Sequence, residues 1–272
     1  MNDNILSYMS SVFSFIVLIP IIILLYLTIT KKIKLRPVFV GIVNYMSVYI
    51  ISQLFYIGII AVLGNFLKNN TYLLIIILGT ITPVITQLLI NYSYNRLLPE
   101  NHTWRDGVGF GLGLGAAWVI STIGITVFFA MTLHLSISDG TFNARLAELT
   151  QDEAQKFIEM KNSLFQTSAL DYILLGISGV SAIIIYTAVS IMNLMSVVND
   201  NRKLLYYAII ANIAMYTPYL MITGEIAKIY TASVLLVLAI FSVIYLFKTR
   251  EIMGDYSSTA PYSRPSPLLR RK

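Results

Sequence analysis

The chain contains no cysteine. Disulfides, thiolate nucleophiles and zinc–thiolate centres are excluded at once. Histidine is nearly absent too, with His102 and His134 alone, too few for a conventional histidine-based metal cluster. Charge is the third scarcity. Only 12% of the 272 residues are charged, about half the share of an ordinary soluble domain. What fills the space is apolar, 57% of the chain, so its solvent is lipid. The net charge of +6 does not point to nucleic acid, because the basic residues gather in loops and a tail. No nucleic-acid partner, cofactor or metal is expected. Membrane lipids are the constant neighbours.

A spanning helix needs about 20 mostly apolar residues. Seven stretches qualify, at roughly 5–29, 38–63, 72–95, 107–134, 168–198, 204–223 and 227–247. The fold class predicted is all-α, a polytopic membrane protein with seven transmembrane helices. The first stretch reads as a retained span rather than a cleaved signal, since no basic residue precedes it and "KKIKLR" follows it. Fourteen of the 19 Lys and Arg fall on the side holding Lys31, Arg105, Arg202 and the C-terminus, and none falls at the centre of a span. The positive-inside bias predicts an N-terminus outside and a C-terminus in the cytoplasm. A single membrane domain over 1–250 is expected, followed by a basic, Pro/Ser-rich tail at 251–272 read as disordered.

Within the spans, Pro20, Pro83 and Pro218 each remove a backbone donor and can kink a helix. The fourth span opens "WRDGVGFGLGLGAAW". On a helix, Gly107, Gly111 and Gly115 form one stripe of small residues, with Gly109, Gly113 and Ala117 beside it. Such stripes let neighbouring helices approach closely. No β-strand or P-loop lysine accompanies the glycines, so they are no nucleotide loop. One segment, 136–167, is long enough to fold outside the bilayer. Thr150 and Glu153 make a capping-box pattern there, and Ala154, Phe157, Ile158, Leu164 and Phe165 recur at helical spacing. An amphipathic outer cap is predicted.

No span centre holds an Asp, Glu, His, Lys or Arg. Buried ionisable groups ordinarily mark proton relays, ion paths and hydrolytic centres in membranes. The third span instead carries neutral polar residues, in "TPVITQLLINYSYNRLL". Cutting a peptide bond at depth requires paired carboxylates, a metal, or a serine with a base. Serines and threonines are plentiful, but no base accompanies them.

The order of "TQLLINYSYNRLL", "WRDGVGFGLGLGAAW", the outer loop, "AIIIYTAVSIM" and "YYAIIANIAMY" resembles the YhfC-like branch of the CPBP/PrsW intramembrane protease superfamily. The scaffold subunit of gamma-secretase belongs to the same broad group. The resemblance implies a third-span Glu-Glu pair, which here falls on Thr86–Gln87 or Gln87–Leu88, with the family's Arg falling on Ile90 or Asn91. It implies a fourth-span Gly-His-Gly, which here is Gly113-Leu114-Gly115, and a following Glu, which is Trp118. The fifth-span and sixth-span histidines fall on Tyr186 and Asn212. Thr86, Gln87, Asn91, Leu114, Trp118, Tyr186 and Asn212 would then be the replaced remains of an active site, with no catalytic residue among them, and Gln87, Leu114, Tyr186 and Asn212 are expected to converge on one cavity. The plain alternative is interhelical hydrogen bonding worth roughly 0.6 kcal/mol each.

These features predict a non-catalytic, protease-like protein of the bacterial plasma membrane. It would act as scaffold, chaperone or regulator of a membrane-protein or peptide partner. Two alternatives stand beside it: an active intramembrane peptidase of the same family, and a permease or bacteriocin-immunity-type membrane protein.

Overall fold

The computed structural model describes residues 3–68, 70–220 and 225–256. Among them there are helices and no strands. The order is α1 (Asp3–Phe13), α2 (Ile19–Ile29), α3 (Leu35–Lys68), α4 (Thr71–Tyr92), α5 (Trp104–Val119), α6 (Ile125–Ser138), α7 (Phe142–Ala147), α8 (Gln151–Gln166), α9 (Ala169–Val198), α10 (Arg202–Leu220) and α11 (Glu225–Tyr256). Widened π turns at Ser14–Leu18, Ser93–Leu97 and Ile120–Gly124 join α1 to α2, extend α4, and join α5 to α6. The first ends just before Pro20, whose missing N–H leaves the Ile16 carbonyl without its usual donor.

Among the described residues six helical runs are long and apolar enough to cross a membrane, from Ile5–Ile29 to Lys228–Met253. The chain is thus a multi-pass membrane protein. The sixth predicted stretch is helical as α10 but more polar than the others, since it carries Tyr206, Tyr207, Tyr216, Tyr219, Asn212 and Pro218. Geometry shows where it runs. Lys228 at the start of α11 pairs with Asp171 at the start of α9, 2.9 Å apart. Farther along both helices, the Tyr245 hydroxyl lies 3.5 Å from Met195 Sδ. Helices α9 and α11 therefore run parallel, and α10 carries the chain back between them. Its 19 residues span roughly 28 Å at 1.5 Å each.

The bundle has two unlike ends. The basic end holds Lys34, Arg105 and Arg202, and there Lys34 lies 3.4 Å from the buried Asp106. Near it, α5 is clasped between α9 and α3. A side chain on Gly111 would collide with the Thr187 backbone, and a Cβ on Gly115 would sit 2.9 Å from Ile183 Cα. On the other flank a Cβ on Gly113 would strike the Val38 carbonyl, and one on Gly41 of α3 would strike the Phe110 carbonyl. The two glycine stripes thus serve two partners, one each.

Pro83 lies inside α4, so the Gly79 carbonyl has no donor four residues on. The Thr217 hydroxyl of α10 donates to it at 3.3 Å. Gly79 permits this approach, because a Cβ there would lie 2.7 Å from that hydroxyl.

The cap end carries α7 and α8. Thr150 donates to Glu153 through its N–H at 3.1 Å and its hydroxyl at 2.7 Å, and the hydroxyl bond foremost holds that carboxyl below its usual range. Phe157 stacks on buried Phe142 with ring centroids 6.4 Å apart, and Leu164 is buried. Ile158 and Phe165 remain exposed. At the far end of the chain α11 continues to Tyr256, six residues into the stretch expected to be tail. The rest of that stretch lies outside the described residues.

Candidate functional site

The polar run of α4 divides between two environments. Helical neighbours point about 100° apart, so Thr86 and Gln87 face different ways although both are buried.

Thr86 faces a cavity of about 100 Å³ enclosed by α3, α4, α5, α9 and α10. Leu114, Trp118 and Tyr186 line it as well, together with Tyr45 and Tyr216. The Trp118 ring packs on Tyr186 at 5.8 Å and on Tyr219 at 4.9 Å between centroids. The Thr86 hydroxyl is turned back onto the Thr82 carbonyl at 2.8 Å. The walls are therefore largely aromatic, with phenolic, serine and threonine hydroxyls and the Gln53 amide, and no carboxylate, imidazole or amine lines the cavity.

Gln87 and Asn91 belong to an amide ladder between α4 and α9. The Asn95 amide donates to the Asn91 side-chain oxygen at 3.1 Å. Asn91 donates to the Asn193 oxygen at 3.1 Å and to Ser196 Oγ at 3.3 Å. Asn193 donates to the Gln87 backbone and side-chain oxygens at 2.8 and 3.1 Å. Every rung points the same way, from exposed Asn95 inward. The last group, the Gln87 amide nitrogen, is buried and has no acceptor. One turn before Asn193 in α9, Ser190 donates to the Gly107 carbonyl at 3.1 Å, so the Tyr94 hydroxyl, 2.7 Å away, must donate to Ser190.

Asn212 stands apart from both groups. It is 1% exposed, and neither its amide nitrogen nor its oxygen has a partner. The antiparallel register that pairs Thr217 with Gly79 and Tyr216 with Thr82 sets Asn212 at the level of Thr86 and Gln87. Of the four residues expected to converge on one cavity, Leu114 and Tyr186 line it and Gln87 and Asn212 do not. Thr86 and Trp118 line it as well, while Asn91 does not.

The residues present do not fit a metal. Zinc needs several imidazole, thiolate or carboxylate donors around one point. Among the described residues no three His, Cys, Asp or Glu side chains come together. His102 lies beyond the end of α4, its Nε2 3.1 Å from the Tyr94 carbonyl. His134 is buried in α6, toward the cap end. Asp106 and Asp171 are each taken up by a capping box and a lysine.

Sequence reasoning passed over Ser190, Asn193 and Ser196. Their signal was the three-residue spacing in "SIMNLMS", which sets them along one side of α9.

Comparison with known proteins agrees with this architecture. The profile of a family described as YhfC intramembrane metalloprotease matches residues 15–244. The membrane protein YhfC of Bacillus subtilis (strain 168) is 26% identical over 158 residues, 57% of this chain and 60% of that protein. The match thus spans less than two thirds of the relative's length. No solved structure matches.

Proposed function

This chain belongs to the YhfC intramembrane metalloprotease family, and we propose that within it the protein is a non-catalytic member that holds a membrane-protein or peptide partner, as scaffold, chaperone or regulator. The observation that carries this reading is the chemistry of the buried polar groups. Gln87 Nε2 and both polar atoms of Asn212 are buried without partners, close to a cavity whose lining includes no titratable base. An unpaired buried amide costs about 1–3 kcal/mol. Its retention is accounted for when another chain supplies the missing donor and acceptor. Neutral amides and phenols can bind a peptide group whose own hydrogen bonds are broken. They cannot draw a proton from water near neutral pH or hold a metal that would.

In this reading α10 is the seventh span, the N-terminus lies outside, and the membrane is the plasma membrane of a bacterium. The partner enters as a helix with a local break, and the α7–α8 cap offers a second contact.

A photo-crosslinking residue at Thr86, inserted in native membranes, tests the proposal. A discrete crosslinked product that disappears in Asn212→Leu supports it. A chain that stays uncrosslinked and monomeric contradicts it. The second reading, an active peptidase, draws on the family's description. It predicts cleavage of membrane peptides that is abolished by replacing Gln87, Asn91 or His134.

A further inference from the structure

Below α8 lies a second cavity, of about 380 Å³, within the roughly 300–1,000 Å³ of small-molecule sites. It exists because of how the fourth span is built. Helix α5 holds to α9 through its glycines, but after the π turn at Ile120–Gly124 the chain continues as α6, which packs on α1 and α8 and makes little contact with α9. The gap between α6 and α9 is the cavity, and the end of α8 closes it above.

Its walls are apolar, formed by Val127, Leu133, Leu164 and Leu175. Phe129 lines it while remaining 57% exposed, so the cavity reaches the apolar outer surface of α6. In a bilayer that surface meets acyl chains. Asp171 and Lys228 also line the cavity. Asp171 is fully engaged: it accepts from Lys228 at 2.9 Å and from the Ser168 N–H and hydroxyl at 2.8 and 3.1 Å. Among the described residues the Lys228 ammonium pairs with that carboxylate, which takes one of its three protons, and its side chain is 32% exposed. A cation with donors to spare thus stands on an apolar slot that is open to lipid.

We propose that this cavity binds one acyl chain of an amphiphile with an anionic head group, the chain lying between α6 and α9 and the head on Lys228. This site is separate from the polar cavity and does not depend on the reading of that cavity. A phospholipid and a free fatty acid share the required chemistry.

The test is native mass spectrometry of the delipidated full chain in mild detergent. The probes are oleate, oleoyl-lysophosphatidylglycerol and, as the uncharged control, monoolein. Wild type is expected to retain one equivalent of at least one anionic probe, about tenfold more tightly than monoolein, and the anionic probe retained identifies the source. Lys228→Gln should remove about that tenfold preference, as expected for loss of one charge-assisted contact. Ala130→Trp fills the cavity from α6 and should abolish retention. If that variant does not fold, Ser163→Trp decides from the exposed side of α8. Retention of neither anionic probe overturns the proposal, as does monoolein bound equally well. Wild-type retention by the folded tryptophan variants also overturns it.

Discussion

At the basic end, α5 lies against α3 and α9 with glycine at the points of contact, whereas at the cap end its continuation α6 has parted from α9 and a cavity stands in the gap. One run of chain behaves in two ways because its composition changes along its length. "GVGFGLGLGAA" sets glycine on the faces toward α3 and α9, so backbones meet, and a serine hydroxyl can reach the Gly107 carbonyl. "TVFFAMTLHL" presents large side chains at most positions and holds its neighbours off. In lipid no hydrophobic force draws helices together, so close contact follows small residues and hydrogen bonds. The closed half carries the amide ladder and the open half carries the lipid-facing slot.

The comparison breaks first at its glycines. Gly113→Val puts a branched side chain against the Val38 carbonyl and should destabilise the bundle by about 3 kcal/mol, the upper range for overpacking. Gly58 of α3 has open space around it. There Gly58→Ala should be harmless or stabilise by up to about 1 kcal/mol through helix propensity. Detergent unfolding of both variants measures the difference, and equal losses would remove the distinction between the halves.

The two buried asparagines sharpen it. Asn193→Ala strips Gln87 and Asn91 of partners and should cost about 2 kcal/mol. Asn212→Leu removes an amide that has no partner and should stabilise the isolated chain by about 1 kcal/mol, while losing the crosslinked partner. A stabilised protein that has lost its interaction is the pattern of a site held open at the expense of stability.

The smallest effect lies at Pro83. Thr217→Val withdraws the hydroxyl that serves the Gly79 carbonyl and should cost about 1 kcal/mol. Pro83→Ala restores the helical donor. In the double variant, the threonine change should therefore cost close to nothing, a coupling that a double-mutant cycle reads directly.

Much of this fold is written openly in the sequence. Apolar runs mark the spans, and the spacing of glycine marks the faces of α5. Thr150 and Glu153 mark the start of α8. Other features depend on contacts that no local pattern carries. The polarity of α10 is one, because Tyr216, Tyr219 and Asn212 turn into the bundle. The π turns are another. Adjacent letters hid the division of the site: Thr86 and Gln87 sit side by side in the chain, yet one faces the aromatic cavity and the other faces Asn193. Asn193 itself was hidden in a run that reads as apolar. The family resemblance named positions on four helices, and Thr86, Leu114, Trp118 and Tyr186 among them line the cavity, but alignment to a motif does not say which way a side chain turns.

The central claim is that a protease-like fold here retains a buried polar site without hydrolytic chemistry. The most direct measurement incubates the purified full chain in nanodiscs with membrane-spanning peptides, with zinc added or chelated, and follows fragments by mass spectrometry. The account predicts intact peptides under both conditions. Zinc-dependent fragments that vanish with the chelator and with replacement of Gln87 would contradict it.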